Sequence, residues 1–119
     1  TSYILATDVS IETISTTSQA GTAAIVLWGN DFAQSIYGNE GNNQLLGFGG
    51  MDQLIGYGGN DTLVGGAGID VLRGGLGNDL YGIDEGDLIF EAVGEGDDTL
   101  AANIGSYFLT IDKLHTLTR

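Results

Sequence analysis

The chain has 119 residues, the size of a single domain with a modest core, and it contains 21 glycines but no proline and no cysteine. The missing cysteines exclude disulfide bonds and thiolate metal sites, and no apolar run is long enough to cross a membrane as a helix. Sixteen acidic residues against three basic ones give a formal net charge of -13, which excludes nucleic acid and anionic lipid as favourable partners.

Residues 1–28 precede any regular repeat. They carry an alternating segment from Tyr3 to Ile14 and an apolar run from Ala23 to Trp28. Alternation of apolar and polar residues is typical of short strands. We expect these strands to cap the stack of repeats that follows, because the terminal coil of a solenoid exposes its core.

A nine-residue repeat runs without insertion from Gly29 to Gly82. Its six units are GNDFAQSIY, GNEGNNQLL, GFGGMDQLI, GYGGNDTLV, GGAGIDVLR and GGLGNDLYG. Position one is always glycine, and position eight is always large and apolar, namely Ile36, Leu45, Leu54, Leu63, Leu72 and Tyr81. A glycine-rich turn followed by a three-residue strand predicts a stack of parallel coils, two units to a coil, with position eight inside.

Position six of the repeat carries the acidic residues. In chain order it is occupied by Gln34, Asn43, Asp52, Asp61, Asp70 and Asp79. Because two units make one coil, every second turn stacks in register, about 4.8 Å from the next. One column of carboxylates therefore contains Asp52 and Asp70, and the other contains Asp61 and Asp79.

Carboxylates stacked at this spacing repel one another by roughly 3 kcal/mol per pair at an effective dielectric near 20, so the columns need a cation. Calcium fits best, because it accepts about six to eight hard oxygen ligands, which carboxylates and turn carbonyls supply. Magnesium requires tighter octahedral geometry, while zinc and copper favour His and Cys, of which the chain has one and none.

The units GGAGIDVLR and GGLGNDLYG match the pattern GGxGxDxUx, so the region resembles the hemolysin-type RTX calcium-binding repeats of secreted bacterial toxins, proteases, lipases and adhesins. The resemblance implies an all-β fold, a right-handed parallel β-roll solenoid, with about two to five bound Ca²⁺ ions. It also implies a secreted, extracellular or cell-surface location in a Gram-negative bacterium, reached by type I secretion, with which the absent N-terminal signal is compatible.

In such rolls an ion binds the carbonyls of positions two and four and the Asp of one turn. It also binds the carbonyls of positions one and three and the Asp two units later. Carried over by the resemblance, the first site contains Phe48, Gly50, Asp52, Gly65, Ala67 and Asp70. The second contains Tyr57, Gly59, Asp61, Gly74, Leu76 and Asp79. A third, which lacks one carboxylate and is expected to be weaker, contains Asn39, Gly41, Asn43, Gly56, Gly58 and Asp61.

Residues 83–119 are predicted to hold degenerate repeats and a C-terminal flanking segment. We expect Asp87 to follow Asp70 in one column and Asp98 to follow Asp79 in the other, each closing a further site. The three parts, 1–28, 29–82 and 83–119, are predicted to form one structural domain.

The two ends of the chain resemble each other. Ser2 to Ser15 aligns with Ser106 to Thr118 after a gap of one residue. This duplication suggests a piece of a longer tandem array, with neighbouring domains in the parent protein.

The favoured function is a calcium-binding module that folds when the secreted chain meets calcium outside the cell. The alternative is a carbohydrate- or protein-recognition module of an adhesin or extracellular enzyme, with Trp28, Phe48 and Tyr57 as contacts unless they serve packing.

Position nine is apolar in four units, Tyr37, Leu46, Ile55 and Val64, and is expected to face outward, under flanking strands or a partner.

An enzyme is not expected. The lone histidine, His115, lies in a Thr/Leu-rich strand with no nucleophile nearby. The acidic pair Asp97 and Asp98 falls where the roll already needs ligands. No membrane insertion is expected either.

Overall fold

The structure is a computed structural model that describes residues 2–4, 10–16, 20–84, 86–90, 96–102 and 117–118. His115 and most of the segment from Ser106 to Thr118 lie outside the described residues, so the predictions on them remain predictions. No helix long and apolar enough to cross a membrane occurs in the described part.

Twelve short strands and no helix make up the regular structure of the described residues. They are β1 (Ser2–Ile4), β2 (Thr13–Ser15), β3 (Val26–Trp28), β4 (Ser35–Tyr37), β5 (Gln44–Leu46), β6 (Gln53–Ile55), β7 (Thr62–Val64), β8 (Val71–Arg73), β9 (Leu80–Ile83), β10 (Leu88–Ile89), β11 (Asp98–Ala102) and β12 (Leu117–Thr118).

The strands form two parallel sheets, and consecutive strands of the repeats alternate between them. The seven-stranded sheet has the order β1-β3-β5-β7-β9-β11-β12, and the five-stranded sheet has the order β10-β8-β6-β4-β2. Leu45 pairs with Leu63 and Leu54 with Leu72, so strands two units apart lie side by side. The predicted all-β solenoid with two units to a coil is confirmed.

The core lies between the two sheets. It consists mainly of the position-eight residues, and Ile36, Leu45, Leu54, Leu63, Leu72 and Tyr81 are completely buried. Ile14 of β2 and Leu27 of β3 join the same cluster. Burial of one such side chain is worth about 1.5–3 kcal/mol, so each coil adds a small increment to a continuous core.

The strands at the N-terminal end extend the sheets. β1 pairs edge to edge with β3, and β2 pairs with β4. They therefore stack on the end of the roll and do not lie across its outer faces. The four apolar position-nine residues, Tyr37, Leu46, Ile55 and Val64, are half-buried, and their cover by flanking strands or a partner stays a prediction.

The turns form two edges. The first edge contains the turns 29–34, 47–52 and 65–70 together with residues 84, 86 and 87, which lead from the seven-stranded to the five-stranded sheet. The second edge contains the turns 38–43, 56–61 and 74–79 and the residues from 96 that lead into β11. Position six closes each complete turn, which places one acidic column on each edge.

Candidate metal centre

Hydrogen bonds join the position-six residues of each edge into a column. On the first edge, the backbone N–H of Gln34 donates to Asp52 Oδ1 at 2.8 Å, and that of Asp52 donates to Asp70 Oδ1 at 2.8 Å. On the second edge, Asn43 donates to Asp61 and Asp61 to Asp79, both at 2.7 Å. The two predicted columns are therefore present, and one oxygen of each of these carboxylates is fixed by the preceding turn.

The second carboxylate oxygen, Oδ2, is buried and without a hydrogen-bond partner in four aspartates of the two columns. They are Asp52, Asp61, Asp70 and Asp98. A buried polar atom left unpaired costs about 1–3 kcal/mol, and more when it is charged. Four such atoms along the two columns indicate sites that a cation would satisfy.

The unpartnered oxygens of Asp52, Asp61 and Asp70 each lie beside the position-one glycine of their own turn. A Cβ atom added to Gly47 would collide with Asp52 Oδ2 and lie 2.7 Å from the carbonyl oxygen of Gly65. A Cβ added to Gly56 would collide with Asp61 Oδ2 and lie 2.9 Å from the carbonyl oxygen of Gly74. The carboxylate and the carbonyl of the next coil therefore face the same space.

Burial makes the charged form of these carboxylates costly. Loss of solvation raises the pKa of Asp52 from 3.8 to about 6, that of Asp70 to about 7 and that of Asp61 to about 8. Backbone hydrogen bonds lower these pKa values in part, while neighbouring carboxylates such as Asp79 raise that of Asp61 further. The columns are electrostatically unfavourable without a proton or a cation.

The donor set fits a hard cation. Among the described residues, no three His, Cys, Asp or Glu side chains converge as a metal cluster. A step between two aspartates offers two carboxylates, so main-chain carbonyls must complete the shell. Such an all-oxygen set matches Ca²⁺ and gives zinc or copper none of the ligands they favour.

The turns that hold the carboxylates have an unusual backbone at positions two and four. Phe48 and Gly50 have φ values of 75° and 84°, and Tyr57 and Gly59 have φ values of 75° and 86°. Left-handed φ costs roughly 1–2 kcal/mol in any residue except glycine, so Phe48 and Tyr57 are held there against their preference.

The remaining carbonyls of the first two predicted sites have different surroundings. The carbonyl oxygens of Gly50 and Gly59 face the glycines of the next coil closely enough that a Cβ on Gly68 or Gly77 would collide with them. The Phe48 carbonyl accepts a hydrogen bond of 2.6 Å from Ala67 N–H, and the Tyr57 carbonyl lies against Gly75. The side chain of Leu76 is exposed.

A family model described as the RTX calcium-binding nonapeptide repeat (four copies) matches residues 28–63 and 55–87, about half of the chain. The chain belongs to this family. Comparison with curated proteins and with solved structures gave no match. The RTX match covers the six repeats and the column residues from Gln34 to Asp87 but not Asp98, and it makes the roll a member of a calcium-binding repeat family.

The third predicted site has a different construction from the rest of the RTX roll. Asn43 Oδ1 accepts the N–H of Asn39 at 2.8 Å, and Asn43 Nδ2 donates to Asn39 Oδ1 at 2.8 Å. Gly41 N–H also donates to Asn39 Oδ1, while Gly56 presents its Cα to the Oδ2 of Asp61. The Asn43 side chain is thus occupied within its own turn.

The RTX roll extends its columns beyond the regular repeats. Asp70 N–H donates to Asp87 Oδ1 at 3.0 Å, and Asp79 N–H donates to Asp98 Oδ1 at 2.7 Å. The turn before Asp87 also contains Asp84, whose Oδ1 is buried and unpartnered and whose N–H donates to Asp87 Oδ2. Burial, with Asp84 nearby, raises the pKa of Asp87.

Two features of the RTX roll were missed by the sequence analysis. A Cβ on Gly58 would collide with Glu40 Oε2, so the Glu40 carboxylate lies over the third predicted site. On the second edge, position-five side chains form a ladder in which Asn60 N–H donates to Asn42 Oδ1 and Asn78 N–H to Asn60 Oδ1. The alternating Asn at position five, present in every second unit, was the available signal.

The aromatic residues do not form one surface on the RTX roll. Trp28 packs edge-on against Phe48, with ring centroids 5.7 Å apart, beside the first edge. Tyr57 lies in the second edge, on the opposite side of the sheets. Their separation favours packing roles over a common recognition site.

Proposed function

We propose that this RTX roll is a calcium-gated folding module of a secreted bacterial protein. The chain is expanded where calcium is scarce, and it folds where calcium is plentiful outside the cell. The observation that carries the proposal is the set of buried, unpartnered Oδ2 atoms in register along the two edges. The secreted setting is supported by the family alone.

The charge of the chain is the proposed gate. Four steps have an aspartate on both sides, namely Asp52/Asp70, Asp70/Asp87, Asp61/Asp79 and Asp79/Asp98. One Ca²⁺ at each step would change the formal charge from -13 to -5, since four ions add eight positive charges. This removes much of the self-repulsion that opposes the compact state.

The proposed ligands at each step are the two aspartates, with carbonyls from the facing turns. Phe48, Gly50, Gly65 and Ala67 would serve the Asp52/Asp70 step. Tyr57, Gly59, Gly74 and Leu76 would serve the Asp61/Asp79 step. The position-one carbonyls have the strongest support, because they face the same space as an unpartnered carboxylate oxygen.

A calcium titration tests the proposal. Circular dichroism and hydrodynamic radius are recorded on the whole chain, from chelator to millimolar calcium, at constant ionic strength and with magnesium as the competing ion. We expect a compact β-rich state with calcium and an expanded chain without it. A chelated chain with the same radius and spectrum as the calcium-loaded chain would refute the proposal.

Asp61→Asn provides the matched variant, since Asp61 belongs to the column on the second edge. We expect it to raise the calcium concentration at half-maximal folding at least about tenfold. The lost attraction between the carboxylate and the ion is worth roughly 3 kcal/mol, and about 1.4 kcal/mol corresponds to tenfold. The control is Asp31→Asn, which removes the same charge from an exposed position-three side chain. If the calcium concentration at half-maximal folding rises equally in both variants, the effect would come from the lower net charge and not from the column.

A further inference from the structure

The first turn of the first edge is closed by its own side chains. Gln34 Nε2 donates to Asn30 Oδ1 at 2.6 Å, and Asn30 N–H donates to Gln34 Oε1 at 3.0 Å. Asn30 Oδ1 also accepts the N–H of Phe32 at 3.0 Å. The amide of position two and the amide of position six thus satisfy each other across the turn.

The first turn of the second edge has the same arrangement one unit later, with Asn39 at position two and Asn43 at position six. Asn39 Nδ2 additionally donates to the carbonyl of Ala23 at 3.0 Å, which ties the turn to the preceding coil. Among the described residues, the fully buried side-chain oxygens that lack a hydrogen-bond partner belong to aspartates, and none belongs to these four amide residues.

The backbone of these two turns also differs from that of the carboxylate turns. Positions two and four have positive φ in the turns 47–52, 56–61, 65–70 and 74–79. Asn30 and Asn39 at position two, and Phe32 and Gly41 at position four, do not have positive φ. The amide turns therefore follow another path and do not present the same carbonyls to an ion.

We propose that Asn30 and Asn39 make the first turn of each edge independent of calcium. These two turns take no ion and stay closed when calcium is withdrawn. The coil that they close, residues 26–46, is then the permanent end of the roll on which the ion-bound coils assemble. The proposal rests on the proposed function, because it concerns which turns of a calcium-binding roll depend on the ion.

The geometry supports a role for residues 26–46 as the template on which the ion-bound coils assemble. Both turns are neutral at positions two and six, so closing them brings no charges together. Each also supplies a backbone N–H, from Gln34 or Asn43, that binds the first aspartate of its column. Their coil contributes Leu27, Ile36 and Leu45 to the core, and β1 and β2 stack on its far side.

Hydrogen exchange on the whole chain, with calcium and with chelator, is the first test. We expect residues 26–46 to keep their protection from exchange in chelator. The protection factors of residues 53–73 should fall at least about tenfold. If residues 26–46 exchange in chelator as fast as residues 53–73, and calcium protects both, this inference is overturned and the calcium gate survives. If calcium changes the protection of no region, the proposed function itself fails.

A double variant tests the role of Asn39 directly. Asn39→Gly with Asn43→Asp converts the turn to the form found in the later repeats. We expect native mass spectrometry to detect one more bound calcium per chain, and the protection of this turn to become calcium-dependent. The control is Asn42→Asp, which adds the same charge at an exposed position next to Asn43 and should leave the ion count unchanged.

The outcomes of the variant are distinct. An unchanged ion count in the double variant, with calcium still bound elsewhere, would overturn the inference. So would an extra ion in the Asn42→Asp control, because added charge alone would then recruit calcium. A matching conversion of the other edge, Asn30→Gly with Gln34→Asp, should add one ion in the same way.

Discussion

The two edges of the roll carry equivalent carboxylate columns but differ at position five. On the second edge, Asn42, Asn60 and Asn78 link successive turns through hydrogen bonds of 2.7, 2.8 and 2.9 Å, the last to Asp97 N–H. On the first edge, the same position holds Ala33, Met51 and Ile69. The second edge therefore has a ladder that needs no ion, and the first edge depends on its carboxylates.

This difference teaches that two turns with the same acidic motif need not respond equally to calcium. Amide side chains keep their hydrogen bonds whatever the metal concentration, whereas stacked carboxylates repel one another when no cation is present. We expect withdrawal of calcium to loosen the first edge before the second.

The largest effect is expected from a matched pair of substitutions, Asp70→Asn and Asp79→Asn. Each aspartate is shared by two steps of its column, and asparagine keeps the Oδ1 acceptor while it removes the charge. Both variants should need at least about tenfold more calcium for folding. A tenfold change corresponds to about 1.4 kcal/mol, which is less than the roughly 3 kcal/mol of one pair of charges at this spacing. Melting in saturating calcium should drop further for Asp70→Asn, because its edge has no second ladder.

Titration calorimetry measures the calcium affinity of each variant, and scanning calorimetry in saturating calcium measures its melting temperature. An equal drop in melting temperature, or a larger drop for Asp79→Asn, would contradict the difference between the edges. It would leave the role of the columns intact.

The pH dependence should be of intermediate size and of opposite sign with and without calcium. In chelator, the folded pKa values of Asp52, Asp70 and Asp61, about 6, 7 and 8, lie above the usual 3.8. The folded state then binds more protons than the unfolded chain, so the stability that these three groups contribute is fully present below pH 4 and is lost as pH rises through 6 to 8. We therefore expect the metal-free chain to be more compact and richer in β structure at pH 5 than at pH 8.

Calcium must displace those protons, so its binding should weaken as the pH falls through the same window. Circular dichroism and hydrodynamic radius at pH 5 and pH 8, each recorded with chelator and with calcium, provide the measurement. A metal-free chain that is more compact at pH 8 would show that the columns are charged in the folded state without a cation.

The smallest effect is expected from Asn60→Ala, which removes one rung of the second-edge ladder. The lost hydrogen bond to Asn78 N–H is solvent-exposed and worth about 0.5–1.5 kcal/mol, a few degrees in melting temperature. Because the rung involves no ion, the melting temperature in saturating calcium should drop while the calcium concentration needed for folding stays nearly unchanged. Met51→Ala, at the same position of the first edge and 66% exposed, is the control and should change the melting temperature less.

The fold was predictable wherever the nine-residue period is intact. One central apolar residue per strand and a fixed turn length leave a single register, so the burial of Leu45, Leu54 and Leu63 followed from counting. The same counting placed Asp52 above Asp70 and Asp61 above Asp79. Even Asp87, which follows Asp70 after 17 residues instead of 18, was assigned to the column of Asp70, and a hydrogen bond joins the two residues.

The rest of the fold and of the site could not be predicted, because it depends on contacts that the nine-residue period does not determine. Residues 1–28 have no repeat to count, so the pairing of β1 with β3 and of β2 with β4 could not be derived. The sequence showed that Gln34 and Asn43 lack a carboxylate, but not that Asn30 and Asn39 would bond to them. That closure depends on two side chains meeting across a turn whose backbone differs from that of its neighbours.

Sharing of ligands within a column has a consequence for the shape of the calcium response. Asp70 stands between Asp52 and Asp87, so an ion at either step fixes a residue that the adjacent step also uses. The second ion then orders less of the chain and binds more tightly than the first. Occupancy along each edge should therefore be positively cooperative, with a titration steeper than that of independent sites.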